Sequence, residues 1–334
     1  MVVWLGLSAV AMGQVPSVSG TFYRDLNLNN IAETGEELSG VSLSLFADDG
    51  DGLFDANTDI AAGSVVSGVG GTYNFGGLDP TLNYFVYQSA QNVGGTNLVG
   101  SVSGLLNPTT FTMTIDAFDD QQIVQGNPIN ATGTSNLTTP SVIGGQRDLY
   151  VNYLGGPAEA VLHANPFGLD EVLQFDQSAG VQAVAVVTWD GLDNDMSTSP
   201  AVGGLGGLDL SDSEAFSFLA GIDLAGAGES LTLRIFSGTD VSTASVPIPV
   251  TDGLATTLQI VEFSQFSGTA SFSDVDAIQL ELGGVAPSID AQIGPISLIS
   301  GTTNNFLVAP EPSAGLMGAM SFLGLLASLR RRRQ

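Results

Sequence analysis

The runs LTLRIF at residues 231–236 and IQLEL at residues 278–282 decide the fold class of this chain. In both runs apolar and polar residues alternate with a period of two, which places the apolar side chains on one face of an extended strand. Turn-forming Gly, Asp, Asn or Pro residues bound each run. The same pattern recurs at residues 41–46, 72–75, 111–115 and 183–187. The sequence therefore predicts an all-β protein.

Composition excludes several classes of function. The 334 residues include 34 acidic and 7 basic residues, which gives a net charge of −27. A body this acidic repels a phosphate backbone, so we expect no nucleic-acid partner. The chain has no Cys and one His, which excludes thiolate chemistry and Cys/His zinc sites. No Gly-x-Ser-x-Gly motif accompanies His163, so we interpret this residue as a loop or edge histidine and expect no enzyme.

The body of the chain divides into two predicted β units. The first spans residues 17–92, and a Gly- and Asn-rich passage at 93–108 is interpreted as a linker. The second spans residues 109–308 and has the size of a large jelly-roll-like β-sandwich. Within it, we expect a strand at 274–282 to be followed by a return strand at 289–298.

The first unit carries a recognisable layout of motifs. It opens with GTFYRD at residues 20–25, continues with TGEELSGV at 34–41, and later has GGTYNFGGL at 70–78. This layout resembles the B-type domain of serine-aspartate repeat adhesins, related to collagen-adhesin B repeats. The resemblance implies an Ig-like or prealbumin-like sandwich. Asn30 and Glu37 replace glycines of that pattern, and the absence of Lys excludes the Lys–Asn cross-links of some relatives.

The first acidic loop has the spacing of a calcium site. Oxygen-bearing residues at alternate positions of a tight loop converge on one point, and a Glu at the twelfth position can close the shell with both oxygens. Calcium binding is therefore favoured here over a solvated polar turn. The predicted ligands are Asp25, Asn27, Asn29, Ile31 through its carbonyl, Glu33 and Glu36.

A second acidic loop follows at residues 48–59. Five aspartates within twelve residues repel one another unless a cation is bound. The sequence therefore predicts a second Ca²⁺ site, with a solvated loop as the alternative. Its predicted ligands are Asp49, Asp51, Asp55 and Asp59.

The loop that begins at Trp189 invites two interpretations. Trp4 lies in the N-terminal apolar run, so a sugar-stacking platform in the body would use Trp189 with Tyr or Phe. Asp190 and Asp193 follow, and we interpret this acidic loop as a solvated hairpin, with a structural Ca²⁺ as the alternative. Residues 209–298 loosely resemble half of a galactose-binding-like or carbohydrate-binding jelly roll, which transfers no ligand residue.

The N-terminus is interpreted as a signal peptide at residues 1–13. An apolar run of 11 residues, VVWLGLSAVAM at 2–12, is too short to span a bilayer and matches the core of a secretory signal. Ala11 and Gly13 are the small residues that a signal peptidase requires, so we expect cleavage between Gly13 and Gln14. A buried N-terminal strand is the alternative.

The C-terminus carries a three-part pattern at residues 310–334. Pro310, Glu311 and Pro312 precede an uncharged apolar stretch at 313–329, and an Arg cluster fills residues 330–333. The stretch can just cross a bilayer as a helix, with the Arg cluster on the cytoplasmic side. The pattern resembles the PEP-CTERM sorting signal of Gram-negative bacteria. It implies export, transient anchoring in the inner membrane, and cleavage by an exosortase near the Pro-Glu-Pro; an ordinary tail anchor is the alternative.

These observations favour an exported, non-enzymatic cell-surface or extracellular-matrix protein with a Ca²⁺-stiffened spacer domain. The alternative is a carbohydrate-binding module protein of a cell-envelope or biofilm polysaccharide system. A glycan-active hydrolase is the third hypothesis, because paired carboxylates could serve glycoside hydrolysis.

Overall fold

A computed structural model of the chain describes residues 15–24, 33–168, 171–193, 199–284 and 286–307. Within these ranges the chain forms β-strands joined by turns and by short 3₁₀ helices, so the predicted all-β class is confirmed. No helix in the described ranges is long and apolar enough to cross a membrane. The predicted signal peptide and the C-terminal sorting signal, with its apolar helix at 313–329, lie outside the described residues.

Strands β1 to β8 come first along the chain. They are β1 (Ser17–Tyr23), β2 (Ser42–Ala47), β3 (Ile60–Val66), β4 (Thr72–Gly76), β5 (Tyr84–Gln88), β6 (Gln91–Val93), β7 (Thr96–Leu98) and β8 (Ser101–Val102).

Strands β9 to β24 follow. They are β9 (Thr109–Asp116), β10 (Gln122–Gly126), β11 (Thr132–Thr138), β12 (Gln146–Gly155), β13 (Ala160–Ala164), β14 (Leu173–Gln177), β15 (Gln182–Trp189), β16 (Ala215–Ile222), β17 (Ser230–Ser237), β18 (Asp240–Pro247), β19 (Thr257–Glu262), β20 (Ser267–Gly268), β21 (Ala277–Gly283), β22 (Asp290–Ile293), β23 (Ile296–Thr303) and β24 (Phe306–Leu307). Single-turn 3₁₀ helices lie at Val69–Gly71, Ile143–Gly145, Pro166–Gly168, Leu224–Gly226 and Phe263–Gln265.

The described residues separate into two compact units. The small unit comprises residues 16–109 and 301–307, and the large unit comprises residue 15 and residues 110–300. In the small unit one sheet has the order β3-β2-β5-β8, and β1 pairs with β4 and β24 in another. Alternate residues of these strands, such as Leu43 and Leu45 of β2, are buried in one shared core. This arrangement is the predicted sandwich.

The prediction of a linker at residues 93–108 is wrong. β6 and β7 form a hairpin there, β8 pairs with β5, and Leu106 bridges to Tyr84. Leu98 is 1% exposed and belongs to the core of the small unit. The glycines that suggested a linker, Gly94 and Gly95, have positive φ and form the hairpin turn instead.

The large unit is a sandwich of two sheets, as predicted, but the predicted bounds of 109–308 are wrong at the C-terminal end, because residues 301–307 belong to the small unit. One sheet has the order β10-β13-β14-β22-β16-β23, with β19 also paired to β16. The other is seven-stranded, with the order β11-β12-β15-β21-β17-β18-β20. All the pairs between neighbours in these orders are antiparallel, and residues from both sheets fill one continuous core.

The predicted return strand at 289–298 differs from the structure in two ways. It is divided into β22 and β23 at Gly294 and Pro295. Neither part pairs with β21, because β22 joins β14 and β16 while β23 joins β16 in the opposite sheet. The chain therefore crosses from one sheet of the sandwich to the other after β21. Hydrophobic alternation identifies a strand but carries no information about which sheet it joins.

Candidate functional site

The outer surface of the seven-stranded sheet presents polar side chains at regular spacing. Along β12, β15, β21 and β17 every second side chain enters the core, including Leu149, Val187, Leu280 and Leu233. The residues between them point away from the core because successive side chains of a strand alternate. We call this surface the polar face; on these four strands it includes Asp148, Tyr150, Thr188, Val186, Gln279, Glu281, Thr232 and Arg234.

Strand register aligns the polar face into two rows. One row runs from Tyr150 through Val186 and Glu281 to Thr232. Neighbouring strands lie about 4.8 Å apart, so three spacings separate its ends by about 14 Å. Tyr150, Glu281 and Thr232 are each partly exposed, whereas Val186 is buried. The accessible part of this row can therefore contact an extended ligand.

The second row runs from Asp148 through Thr188 and Gln279 to Arg234. Hydrogen bonds to neighbouring side chains fix the position of Arg234. Its guanidinium donates to both carboxylate oxygens of Glu281, at 3.0 and 3.1 Å, and to the amide oxygen of Gln279 at 3.2 Å. Gln279 in turn donates to the hydroxyl of Thr188 at 3.1 Å. Gln279 and Thr188 are 5% and 2% exposed, while Arg234 and Glu281 remain partly accessible. Buried amide and hydroxyl groups thus hold an accessible bidentate ion pair in place.

Trp189 cannot serve as a sugar platform in this structure. Its side chain is 0% exposed, and its indole N–H donates to Asp116 Oδ2 at 2.9 Å inside the large unit. The prediction of a glycan contact at Trp189 is wrong because the ring lies on the core-facing side of β15. Tyr150 carries an aromatic ring on the polar face, and the sequence analysis did not select it.

Acidic side chains meet where β12 and β15 lie side by side. Carboxylate oxygens of Asp148, Asp190 and Asp193 lie within 4.8 Å of one another. Asp148 and Asp190 are 4% and 2% exposed, so the interpretation of this loop as a solvated hairpin is wrong for Asp190. The amide nitrogen of Gln146 lies 3.2 Å from both Asp148 Oδ1 and Asp193 Oδ1. Sequence analysis missed Asp148 and Gln146 because β12 meets this loop through non-local pairing.

The second acidic loop is organised around Asp59, which is 7% exposed. Its carboxylate accepts the backbone N–H groups of Asp49 at 3.3 Å and Asp55 at 2.8 Å. Asp55 itself accepts the backbone and side-chain N–H groups of Asn57, which hold the pKa of Asp55 below its usual range.

The structure brings together only some of the predicted ligands of this loop. Carboxylate oxygens of Asp48, Asp49 and Asp51 lie within 4.8 Å of one another. Asp55 and Asp59 are not members of that group; their carboxylates accept the backbone bonds that shape the loop. The grouping of Asp55 and Asp59 with the other predicted ligands is therefore wrong, and Ca²⁺ binding by the first half of the loop stays a prediction.

Most of the first predicted calcium site lies outside the described residues. This holds for Asp25, Asn27, Asn29 and Ile31. Of the remaining two ligands, Glu33 is exposed and Glu36 is 6% exposed. The Ca²⁺ site of the first acidic loop therefore stays a prediction.

His163 lies on strand β13, beside a shallow cavity of about 360 Å³. The interpretation of His163 as a loop or edge histidine is wrong, because β13 is paired on both sides, with β10 and with β14. Burial lowers the pKa of His163, and the carboxylate of Asp176 opposes this shift. The residues that line the cavity are Gln121, Gln122, Ile123, Ser135, Asn136, Leu137 and His163.

No protein-family model matches the sequence, and no curated protein matches it. Among solved structures, the family 11 carbohydrate-binding module from Clostridium thermocellum, in complex with a β-1,3-1,4-mixed-linked tetrasaccharide, is 10% identical; the match covers 55% of this chain and 99% of that chain, with a TM-score of 0.29. An exo-β-agarase is 13% identical, covering 58% of this chain and 25% of that chain, with a TM-score of 0.27. A DUF4465 family protein from Bacteroides ovatus is 10% identical, covering 57% and 99%, with a TM-score of 0.20. At TM-scores this low the likenesses carry no argument about function.

Proposed function

We propose that this chain is a non-catalytic carbohydrate-binding protein whose large unit binds a neutral glycan on the polar face. The observation that carries the proposal is the fixed Arg234–Glu281 ion pair, which stays partly accessible on the polar face that also presents Tyr150. Sugar hydroxyls both donate and accept hydrogen bonds, so a binding surface needs donors and acceptors at fixed positions. Within the described residues, Arg234 uses three of its five N–H donors on Glu281 and Gln279, which leaves two for a ligand.

Charge selects the class of glycan. The chain carries a net charge of −27, which disfavours the approach of an anionic polysaccharide. On the polar face itself, Glu281 neutralises Arg234. Tyr150 offers a ring with an apolar body and a polar hydroxyl, which suits the C–H face and the hydroxyls of a sugar. A neutral polysaccharide therefore fits better than an acidic one.

Affinity electrophoresis of the full chain against a panel of neutral and acidic polysaccharides tests the proposal. We expect retardation by at least one neutral polysaccharide. Arg234→Ala and Tyr150→Ala should each weaken binding at least about tenfold, equivalent to about 1.4 kcal/mol. Gln125→Ala, at an exposed position of the opposite sheet, is the matched control and should bind like the wild type. Wild-type migration unchanged by every neutral polysaccharide would overturn the proposal.

Export completes the proposed role. A glycan of the cell envelope or a biofilm lies outside the cytoplasmic membrane. The resemblance of residues 310–334 to a PEP-CTERM signal supports export of the chain to the same side. We expect an exosortase-type enzyme to release the chain from its inner-membrane anchor near Pro310, Glu311 and Pro312. Mass spectrometry of the matured protein measures this directly. A mature protein that keeps Gln334 contradicts the processing and leaves a plain membrane anchor.

A second candidate function concerns the small unit, as a Ca²⁺-stiffened spacer of the adhesin B-type. The specific observation is the grouping of the Asp48, Asp49 and Asp51 carboxylates, because hard oxygen donors are the ligands of Ca²⁺. Thermal unfolding of the full chain in EDTA, Mg²⁺ or Ca²⁺ tests it. We expect Asp51→Asn to reduce the Ca²⁺-dependent rise in Tm. An equal rise in the variant and the wild type contradicts this site.

A further inference from the structure

The strongest unassigned feature of the large unit is the acidic group at the end of β15. Asp190 directly follows Trp189, Asp193 lies three residues later, and Asp148 comes from the neighbouring strand β12. Register places Asp148 opposite Thr188, so Asp148 and Asp190 lie on the same side of the sheet. Three carboxylates with oxygens inside 4.8 Å, two of them almost completely buried, concentrate negative charge at one point.

Gln146 supplies an observation that is independent of the carboxylates. Its side chain is 1% exposed and is directed at the group, with Nε2 3.2 Å from Asp148 Oδ1 and from Asp193 Oδ1. Its Oε1 is buried and has no hydrogen-bond partner among the described residues. A buried amide oxygen without a partner is unfavourable, because it has lost its hydrogen bonds to water and gained none in the protein. A half-turn of the terminal amide exchanges Oε1 and Nε2, which brings the oxygen to the carboxylates and makes it available to a cation.

Arg147 does not serve this group, although it lies between Gln146 and Asp148 in sequence. Its guanidinium points to the core side of β12, where it forms a salt bridge with Asp116. Because successive side chains of β12 point to opposite faces, the Arg147 guanidinium and the acidic group lie on opposite faces of the sheet. The donors that converge on the outer side are carboxylate and amide oxygens, the ligand set of a hard divalent cation.

We propose that Asp148, Asp190, Asp193 and the side-chain oxygen of Gln146 form a Ca²⁺ site that fastens the loop after β15 to strand β12. Ca²⁺ fits better than Mg²⁺, because an irregular set of side chains from two strands and a loop suits variable coordination more than a strict octahedron. The site holds the loop beside the polar face, but it does not depend on the proposed glycan binding. Binding of a metal to the folded state alone stabilises the large unit by mass action.

Terbium luminescence tests the site on the full chain after removal of metals with EDTA. Tb³⁺ occupies Ca²⁺ sites, and excitation of Trp189, the residue before Asp190, should sensitise its emission. We expect a luminescence signal that Ca²⁺ displaces. Asp148→Asn and Asp190→Asn should each weaken the apparent affinity for both ions at least about tenfold, the range typical of damaged metal sites. Asp79→Asn, at an exposed position of the small unit outside both acidic groups, is the control and should retain the signal.

Two outcomes would overturn the proposal. One is the absence of any Ca²⁺-displaceable, tryptophan-sensitised signal from the wild type. The other is an unchanged affinity in Asp148→Asn. Should the aspartate variants unfold, Gln146→Met takes their place, because it leaves all three carboxylates intact: weaker Ca²⁺ binding supports the site, and unchanged binding rejects it. The readout contains no glycan, so its failure is distinguishable from a failure of the proposed function.

Discussion

Arg147 and Asp116 form a salt bridge of 2.9 Å in which both side chains are 0% exposed. Asp116 also accepts the indole N–H of Trp189 at 2.9 Å and the backbone N–H of Phe118 at 2.8 Å. Arg147 donates in addition to Gln122 Oε1 at 2.8 Å. Burial raises the pKa of Asp116, and the Arg147 guanidinium opposes this rise. Arg147 and Asp116 therefore form a compensated pair of charges in the interior of the large unit.

Removal of Arg147 should strongly destabilise the large unit. Arg147→Met leaves the Asp116 carboxylate buried without its cation, which typically costs about 3–5 kcal/mol of the free energy of unfolding. Urea denaturation followed by circular dichroism measures the loss. The N–H groups of Trp189 and Phe118 still donate to the Asp116 carboxylate, but neutral donors do not replace the positive charge of the guanidinium.

Arg234→Met is the matched control for that prediction. Its salt bridge with Glu281 is partly exposed, at 26% and 34%, and an exposed pair contributes about 0–1 kcal/mol. We therefore expect a much smaller change in the urea midpoint than for Arg147→Met. Equal destabilisation by the two variants would contradict the assignment of Arg147 as the charge that compensates the interior.

The pattern of the sequence predicted the strands but not their partners. The alternating runs at 231–236 and 278–282 lie in β17 and β21, which pair with each other in the seven-stranded sheet. Their outward residues Arg234, Gln279 and Glu281 follow from that alternation once the pairing is known. The pairing itself joins segments more than forty residues apart, and the pattern within a short run does not indicate its partner.

The candidate sites show the same limit. Trp189 was predicted as a glycan contact because it is the tryptophan that remains in the body of the chain, yet its indole N–H donates to Asp116 inside the core. Asp116 is distant in sequence and gave no local signal. Asp148 and Gln146 were equally invisible, since only the β12–β15 pairing brings them to Asp190. The spacing of acidic residues along the sequence identified the loops. The buried group of Asp148, Asp190 and Asp193 forms only through tertiary structure.

The single histidine of the chain allows a direct test of how burial and a neighbouring carboxylate change the pKa of a side chain on β13. Burial should place the pKa of His163 below its ordinary 6.5. Since the folded pKa lies below the unfolded one, the stability contributed by neutral His163 is complete above pH 6.5 and is lost as the pH falls through the folded pKa. NMR titration of the imidazole protons in the untagged chain measures this pKa without ambiguity.

Asp176 provides the charge control for His163. Its carboxylate raises the pKa of His163 against the effect of burial. Asp176→Asn should therefore lower the pKa of His163 further, whereas Asp209→Asn, on an exposed loop, should leave it unchanged. A rise in the pKa of His163 on Asp176→Asn would show that the Coulomb interaction has been assigned the wrong sign.

Asp59 should matter more to the stability of the small unit than the aspartates around it. Asp59→Ala removes the acceptor of two backbone N–H groups, those of Asp49 and Asp55, and unsatisfied partners typically cost about 1–3 kcal/mol. Asp51→Ala, at an exposed position, should change the free energy of unfolding by less than about 1 kcal/mol. Chemical denaturation in EDTA compares the two without a contribution from Ca²⁺. A larger effect of Asp51→Ala would contradict the central position of Asp59.

Tyr73 should make the small unit sensitive to alkali. Its hydroxyl donates to the backbone oxygen of Asn304 at 2.5 Å, and burial raises the pKa of Tyr73 to about 12 from an ordinary 10.0. Between these values the unfolded chain has lost the proton while the folded chain retains it, so the free energy of unfolding falls as the pH rises. The contribution is complete below pH 10 and amounts to about 2–3 kcal/mol lost by pH 12. Tyr73→Phe should cost about 1 kcal/mol at pH 7 and flatten this alkaline loss, since no phenol remains to ionise. Unfolding free energies measured from pH 8 to 12 decide the matter: parallel profiles for the wild type and Tyr73→Phe would show that Tyr73 ionises no later in the folded chain than in the unfolded one.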